Sequence, residues 1–233
     1  MILAAGLGTR LKPFTEKHPK ALLPVNGKTL LQRNIEYLQA YNVKDVIVNV
    51  HHFSAQIIDA VEQHSGWGST ITISDESDLV LETGGGLKKA AAYLQDSSES
   101  FVLINADMLT DLDLDELKKT HKQSGAIATL AVTERTTSRY LLFDENNVLC
   151  GWLNEKTGEQ KGKAGNKKAF SGIHIISPKI FDHIIEEGKF SMIDLYLRFA
   201  AEGITINCYD HSDGLLLDVG KPESIAIAER MFR

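Results

Sequence analysis

The sequence predicts an α/β protein in which a parallel sheet carries helices on both faces and continues into a mixed or antiparallel portion. Short apolar runs alternate with amphipathic stretches through the first half of the chain. In the second half, strand-like runs follow one another with little helix between them. The 233 residues, of which 43% are hydrophobic, suit one sizeable domain with a substantial core.

The first half alternates strands with helices, which is the order of parallel βαβ units. Strands are predicted at residues 2–5, 46–50, 71–74 and 101–104. The predicted helices are residues 29–40, a second helix capped by Ser54, and a third that opens at the glycines 84–86 and runs through Leu94. Because the first strand begins at the first residues, we expect either a short strand or a numbering that starts a few residues late.

The second half contains a run of predicted strands, at residues 126–132, 140–143, 148–152 and 170–177. The lysine-rich segment NEKTGEQKGKAGNKK between the last two is predicted to be a mobile hairpin or flap. Ser191 with Asp194 approximates a capping box, and Pro222 suits the first residue of a final helix that reaches Phe232.

Composition excludes several classes of protein. No apolar stretch reaches eighteen residues and no signal peptide is visible, so we expect a cytoplasmic protein without membrane contact. Cys150 and Cys208 lack metal-site spacing and are expected to be reduced, buried thiols. A net charge of −6 argues against a nucleic-acid partner. The first 28 residues nevertheless hold five basic side chains against Glu16 alone, which makes a local anion site plausible.

The opening stretch, MILAAGLGTRLKPFTEKHPKALLPV, matches neither standard phosphate-binding motif. Its GxGxxL spacing and the early Pro13 exclude the dinucleotide fingerprint, and the P-loop spacing GxxxxGK[ST] is missing. The glycines still allow close backbone approach to an anion, and Arg10 and Lys20 add positive charge. The stretch therefore predicts a triphosphate-holding loop of another design.

This stretch, with ETGGG at 82–86, NADM at 105–108 and LDVGKPES at 217–224, resembles the signature of the sugar-1-phosphate nucleotidyltransferases. The resemblance spans the chain and implies the Rossmann-like, three-layer α/β/α mixed sheet of the nucleotide-diphospho-sugar transferase type. ETGGG, the short length and FSGIHIISP are most similar to the N-acetylmuramate-1-phosphate uridylyltransferase branch and to its relatives acting on mannose or heptose 1-phosphate.

The resemblance implies transfer of a nucleoside monophosphate from an NTP to a sugar 1-phosphate, with release of pyrophosphate. UTP with N-acetylmuramate 1-phosphate is the leading pair, and GTP with mannose or heptose 1-phosphate is an alternative. A cytidylyltransferase acting on phosphocholine would need an aromatic cage near Trp67 or Trp152. A nucleotide-sugar sensor without turnover is a further alternative. The implied assembly is a monomer or homodimer, and the implied pathway is cell-envelope precursor synthesis.

The resemblance also assigns the charged residues of the reaction. Arg10 would grip the triphosphate, Lys20 would hold the α-phosphate or sugar phosphate, and Asp107 completes the catalytic set. Asp107 and Asp218 match the two aspartates that bind Mg²⁺ in the family. The nearby DLDLDE lacks the glycine and glutamate of a calcium loop, and we expect its acids to cap a helix.

The remaining implied site residues fall into a nucleotide set and a sugar set. The nucleotide set is Leu3, Ala4, Ala5, Gly6, Gly8, Thr9, Glu82, Thr83, Gly84 and Gly85, with the glycines exposing backbone that reads the base. The sugar set is Asn105, Ser171, Gly172, Glu155 and Lys156, although Thr157 replaces the proline of the family's EKP element.

These assignments divide the single domain into functional halves. Residues 1–110 would bind the nucleotide and residues 111–233 the sugar phosphate, with a flap near 154–169. His51 and His52 are adjacent on a strand and point to opposite faces, so we expect structural or sugar-contacting roles rather than shared metal ligation.

Overall fold

The computed structural model describes residues 1–232. The chain forms two compact units, each assembled from separate segments. The first contains Met1–Glu82, Ile104–Asp111 and the chain from Leu215 onward, and the second contains Thr83–Leu103 and Leu112–Gly214. The functional halves predicted above, residues 1–110 and 111–233, are defined by the ligand that each would bind and not by compactness. They stay a prediction.

The first unit is built mainly from short parallel strands and the helices that connect them. Three 3₁₀ turns, Thr9–Leu11, Phe14–Glu16 and Lys20–Leu22, fill the loop after the first strand. Its strands and helices are β1 Ile2–Leu3, β2 Pro24–Val25, β3 Lys28–Thr29, α1 Leu30–Ala40, β4 Asp45–Val50, α2 Ser54–Gln63, β5 Thr70–Asp75, the end of β6 Phe101–Asn105, β7 Met108–Thr110, β14 Leu216–Asp218 and α7 Pro222–Met231.

In the first unit β1 lies between β6 and β4, and β5 follows β4, with every pairing parallel. Helix α1 is packed into this unit, and its Leu30, Leu31, Ile35 and Leu38 are fully buried, as the spacing predicts. Burying each such side chain contributes roughly 1.5–3 kcal/mol. The carboxyl ends of β1 and β6 lie together, because Leu3 pairs with Asn105. This is the edge at which ligands bind in open α/β sheets.

The second unit is dominated by antiparallel strands. Its elements are α3 Glu82–Lys89, α4 Ala91–Leu94, α5 Leu114–Ser124, β8 Ala128–Thr133, β9 Arg139–Phe143, β10 Leu149–Asn154, β11 Glu159–Gly162, β12 Asn166–Ile176, α6 Met192–Ala201 and β13 Ile206–Asp210. Strand β12 pairs antiparallel with β8 and β9, and β13 pairs parallel with β8. The sheet of this protein is therefore mixed, as predicted.

Several local predictions are confirmed in the second unit. The lysine-rich segment forms the hairpin of β10 and β11, with Asn154 opposite Glu159. Ser191 accepts a hydrogen bond from Asp194 N and caps α6. Asp113 of DLDLDE caps α5.

Three local predictions are wrong. Ser54 is the first residue of α2 rather than its cap, and its hydroxyl accepts a hydrogen bond from Ser77 Oγ at 2.9 Å. The helix expected from Gly84 through Leu94 begins at Glu82 and is interrupted at Ala90. Cys150 is only half-buried, whereas Cys208 is buried, and both thiols are free.

Candidate functional site

The loop after β1 is stabilised by hydrogen bonds among its own residues. The hydroxyl of Thr15 donates to Gly8 O at 2.9 Å, and the Lys20 side chain lies against the α-carbon of Gly8. Gly6, Thr9 and Arg10 are exposed to solvent. The loop therefore presents Gly6 and the Arg10 guanidinium to solvent, and its far end turns Lys20 back toward Gly8.

Lys20 and Asp107 form an ion pair in the first unit, through Lys20 Nζ and Asp107 Oδ2. Only 11% of the Lys20 side chain and 24% of the Asp107 side chain are exposed. Because little water reaches the two side chains, it screens their charges less than at the surface, and the attraction between them is stronger. The fold thus joins two residues that the sequence places 87 positions apart.

Asp218 lies beside the same segment, at the end of β14. Met108 pairs with Asp218 across the ladder of β7 and β14, and Val219 N donates to Asp107 O at 2.9 Å. The Arg10 guanidinium reaches the same place, since its Nη2 and Asp218 Oδ1 both lie against the α-carbon of Gly220. The structure thus brings together Arg10, Lys20, Asp107 and Asp218, the four charged residues that the sequence singles out.

This cluster contains oxygens suited to a divalent cation. Asp218 Oδ1 is buried and has no hydrogen-bond partner within residues 1–232. A buried carboxylate oxygen without a partner is costly in a native fold and fits the position of a cation ligand. Across the described chain, His, Cys, Asp and Glu side chains form no cluster of three or more that could hold a metal. A cation here would therefore take its remaining ligands from phosphate oxygens and water.

A buried polar pair that the sequence did not single out fixes the start of the loop. Ala4 N donates to Asn49 Oδ1 at 2.6 Å, and Asn49 Nδ2 donates to Glu76 Oε1 at 2.7 Å. Both side chains are at most 2% exposed. His51 Nδ1 donates to Glu76 O at 2.6 Å, which gives this histidine a structural contact. Polar residues inside an otherwise apolar strand, such as Asn49 in DVIVNV, are the only sequence signal for this pair.

The glycines of ETGGG pack against Phe190 in the second unit. Gly84 N and Gly85 N donate to Phe190 O at 2.9 and 3.2 Å, and Thr83 Oγ1 accepts from Met192 N. A β-carbon at Gly84 would lie 2.4 Å from the Phe190 ring, so this close approach requires glycine. The prediction that the segment binds the base stays a prediction. In this structure the N–H groups of Gly84 and Gly85 already have a protein acceptor.

The predicted sugar residues of the second unit occupy two different environments. Ser171 is fully buried and hydrogen-bonds His211 Nε2 through its hydroxyl at 2.8 Å, beside Gly172 at a register shift of β12. Glu155 and Lys156 are exposed at the turn of the β10 and β11 hairpin, where Glu155 pairs with Lys167. Their sugar-binding roles stay predictions. The partner His211 follows a strand end, and no motif indicates it.

The fold and the charge cluster define a phosphate-handling α/β enzyme. A family model described as Nucleotidyl transferase matches residues 1–232, and the chain belongs to this family. The predicted family, enzyme class and fold class are thereby confirmed.

Three comparisons illustrate the relationship. The N-acetylmuramate alpha-1-phosphate uridylyltransferase of Caulobacter vibrioides is 33% identical over 98% of this chain and 94% of its own. The UTP–glucose-1-phosphate uridylyltransferase of Synechocystis is 29% identical over 95% of this chain, which spans 60% of that relative's length. The crystal structure of HddC from Yersinia pseudotuberculosis complexed with GMP-PN has 27% identity and a TM-score of 0.77, and covers 100% of this chain and 98% of its own.

Within residues 1–232, no helix is long and apolar enough to cross a bilayer.

Proposed function

We propose that this protein transfers UMP from UTP to N-acetylmuramate 1-phosphate, giving the UDP-sugar and pyrophosphate. The observation that carries the proposal is the cluster of Arg10, Lys20, Asp107 and Asp218 beside an open, glycine-containing loop. The 33% identity with the Caulobacter uridylyltransferase, over nearly the full length of both chains, supports this substrate pair.

In the proposed reaction, an oxygen of the sugar phosphate attacks the α-phosphorus of UTP as the bond to pyrophosphate breaks. No enzyme nucleophile is needed, so positioning and charge stabilisation carry the catalysis. Arg10 stabilises the triphosphate and the negative charge that develops on departing pyrophosphate. Lys20 exchanges Asp107 for a phosphate oxygen when the substrates bind, and so brings its positive charge to the reacting phosphates.

Magnesium is the cation that we propose for the two aspartates. Asp107 and Asp218 would hold it, since Mg²⁺ prefers one or two carboxylates together with phosphate oxygens and water. When bound, it neutralises phosphate charge and orients the triphosphate. The unpartnered Asp218 Oδ1 supports this assignment.

The ligands are proposed to divide along the chain. Residues 1–110 bind the nucleotide, residues 111–233 bind the sugar phosphate, and hairpin 154–169 acts as a mobile flap. We place the reaction in the cytoplasm and in the synthesis of cell-envelope precursors. The two free thiols agree with a reducing compartment. The working assembly is a monomer or homodimer.

Pyrophosphate release tests the proposal. The purified protein and Mg²⁺ are combined with UTP, GTP, CTP or dTTP and with the 1-phosphates of N-acetylmuramic acid, mannose, glucose and heptose. We expect one dominant signal, from UTP with N-acetylmuramate 1-phosphate, which Asp107→Ala and Asp218→Ala abolish. If no combination releases pyrophosphate although the protein binds nucleotide, a nucleotide-sugar sensor without turnover would be favoured instead.

A guanylyltransferase is the second candidate, because the related Yersinia protein is complexed with GMP-PN. In the same grid it would give its signal with GTP and mannose or heptose 1-phosphate. The phosphocholine alternative gains no support. Trp152 faces Lys161, and Trp67 stacks on His64, so neither ring contributes to an aromatic cage in those contacts.

A further inference from the structure

We propose that Gly220 is a positioning residue, whose bare α-carbon leaves space that both the Arg10 guanidinium and the Asp218 carboxylate approach. The inference rests on the proposed function, because it concerns the groups that would hold the triphosphate and its cation.

The space at Gly220 is already filled by these two side chains. A β-carbon built there would lie 2.6 Å from Arg10 Nη2 and 2.5 Å from Asp218 Oδ1. Both distances are far below the 3.5–4.0 Å or so of ordinary non-bonded contact. Even alanine would therefore displace one or both polar groups.

The backbone does not explain the glycine. Gly220 lies outside the left-handed region of φ that disfavours side chains, unlike Gly8 or Gly125. Its φ therefore does not disfavour an L-residue. Glycine is therefore required here for the room that it leaves and not for the turn that it makes.

The groups that a β-carbon at Gly220 would displace are the ends of two side chains. Arg10 is exposed, and its guanidinium lies at the end of a flexible chain. The contacts that hold the segment are backbone contacts, namely Val219 N to Asp107 O and the β7 and β14 ladder. We therefore expect Gly220→Ala to fold while shifting the charged groups.

Displacement would affect cation and nucleotide together. Asp218 Oδ1 has no protein partner in the described chain, so it would lose its place as a cation ligand once pushed aside. Arg10 would move away from the triphosphate at the same time. A shift of about 1 Å in such groups can cost on the order of 10²-fold in rate.

The test compares wild type, Gly220→Ala and Gly125→Ala. Gly125 ends α5 at a φ of +61° with open space around its α-carbon, so alanine there strains the backbone without touching the site. Mn²⁺ binding is followed by electron paramagnetic resonance with a non-hydrolysable UTP analogue present. Pyrophosphate release gives kcat, KM for UTP and the half-saturating Mg²⁺ concentration, and thermal unfolding reports stability.

We expect Gly220→Ala to bind Mn²⁺ about tenfold more weakly and to lose at least about tenfold in kcat/KM, with its Tm near that of wild type. Gly125→Ala should lower Tm and leave Mn²⁺ affinity and half-saturating Mg²⁺ unchanged. Wild-type Mn²⁺ affinity and kinetics in Gly220→Ala would overturn the inference. If wild type releases no pyrophosphate but Gly220→Ala still loses Mn²⁺ affinity, positioning by Gly220 stands and the proposed reaction fails.

Discussion

At the scale of single residues, Lys20 and Asp107 pair an ammonium with a carboxylate, and the proposed reaction gives each of them a ligand. Removing one partner leaves the other partly buried and uncompensated, which costs more than the net contribution of the pair. In the proposed reaction, Lys20 exchanges Asp107 for a phosphate oxygen, and Asp107 in turn exchanges Lys20 for the cation.

Lys20→Met is expected to lower kcat/KM by at least about 100-fold, because a charged donor is lost where negative charge develops. Steady-state pyrophosphate release measures the loss. Lys28→Met is the matched control, since it removes an exposed lysine paired with Glu36 that contributes at most about 1 kcal/mol. Near-wild-type kcat/KM in Lys20→Met would show that this lysine does not contact the reacting phosphates.

The residues that could be found from sequence are those inside contiguous motifs. Arg10, Lys20, Asp107 and Asp218 stand at fixed places in long signatures, and the fold gathers them. Asn49 could not be found in this way, because its function depends on a partner, Ala4, that lies 45 positions away. Pair partners across a sheet are set by register, which local patterns do not encode.

At the scale of elements, helix α1 fixes the segment that carries Asp107. Asn34, 2% exposed, donates from Nδ2 to Leu30 O at 2.9 Å and to Ala106 O at 3.0 Å. Ala106 N in turn donates to Leu3 O of β1 at 3.0 Å. The residue before Asp107 is thus held by a helix on one side and a strand on the other.

Asn34→Leu is expected to raise the half-saturating Mg²⁺ concentration several-fold and to cost about 1–3 kcal/mol of stability, since Ala106 O loses its donor. Thr129→Val is the control: it removes a buried hydrogen bond to His121 in the second unit. Urea unfolding and Mg²⁺ titration of turnover measure both effects. Equal Mg²⁺ dependence in the two variants would mean that Asn34 stabilises the fold without positioning Asp107.

The contact between β12 and α6 predicts a pH effect on stability. His174 is buried against the Tyr196 hydroxyl at 2.8 Å, and burial lowers the pKa of His174 to about 3. The folded state therefore keeps this imidazole neutral, whereas the unfolded chain protonates it near its ordinary value. The contribution of His174 to the free energy of unfolding is fully present above about pH 6.5. It is lost as pH falls toward about 3, by at most about 1.4 kcal/mol per pH unit.

His174→Gln should flatten this dependence, because glutamine keeps a polar contact and does not titrate. Urea unfolding at about pH 7.5 and about pH 5 gives the slope. Burial also lowers the pKa of His121, so a residual slope of the same sign is expected in the variant. An unchanged slope would show that His174 does not remain neutral in the folded protein.

Elements were predicted best where periodicity is strong and worst at their ends. The apolar stripe of α1 and the βαβ order predicted α1, α2, β1, β4, β5 and β6 to within a few residues, whereas the short strands β2, β3, β7 and β14 were not predicted. The interruption at Ala90 was missed. The start at Glu82 was missed as well, because Phe190 O rather than a local cap accepts from the N–H groups of Gly84 and Gly85 in the first turn. Tertiary contacts of this kind override local signals.

At the scale of the whole molecule, the proposed reaction requires a chain of net charge −6 to bind the polyanion UTP. The local excess of basic residues in the first 28 positions opposes the overall repulsion, and a cation on the aspartates would reduce it further. Nucleotide affinity should therefore depend on the cation more than on any one basic residue. We expect this coupling to affect the Tm of the whole chain, because ligands that bind only the folded state raise it.

UTP with Mg²⁺, at about 100 times its Kd, should stabilise the protein by about 2.7 kcal/mol, or about 5–10 °C in Tm for a chain of this size. Differential scanning fluorimetry with and without Mg²⁺ measures the shift. In Asp218→Asn the Mg²⁺-dependent part should disappear, because the amide lacks the charge that holds the cation. Asp115→Asn, which changes an exposed acid on α5, should keep the wild-type shift. A full Mg²⁺-dependent shift in Asp218→Asn would remove Asp218 from the cation site, even if its turnover is lost.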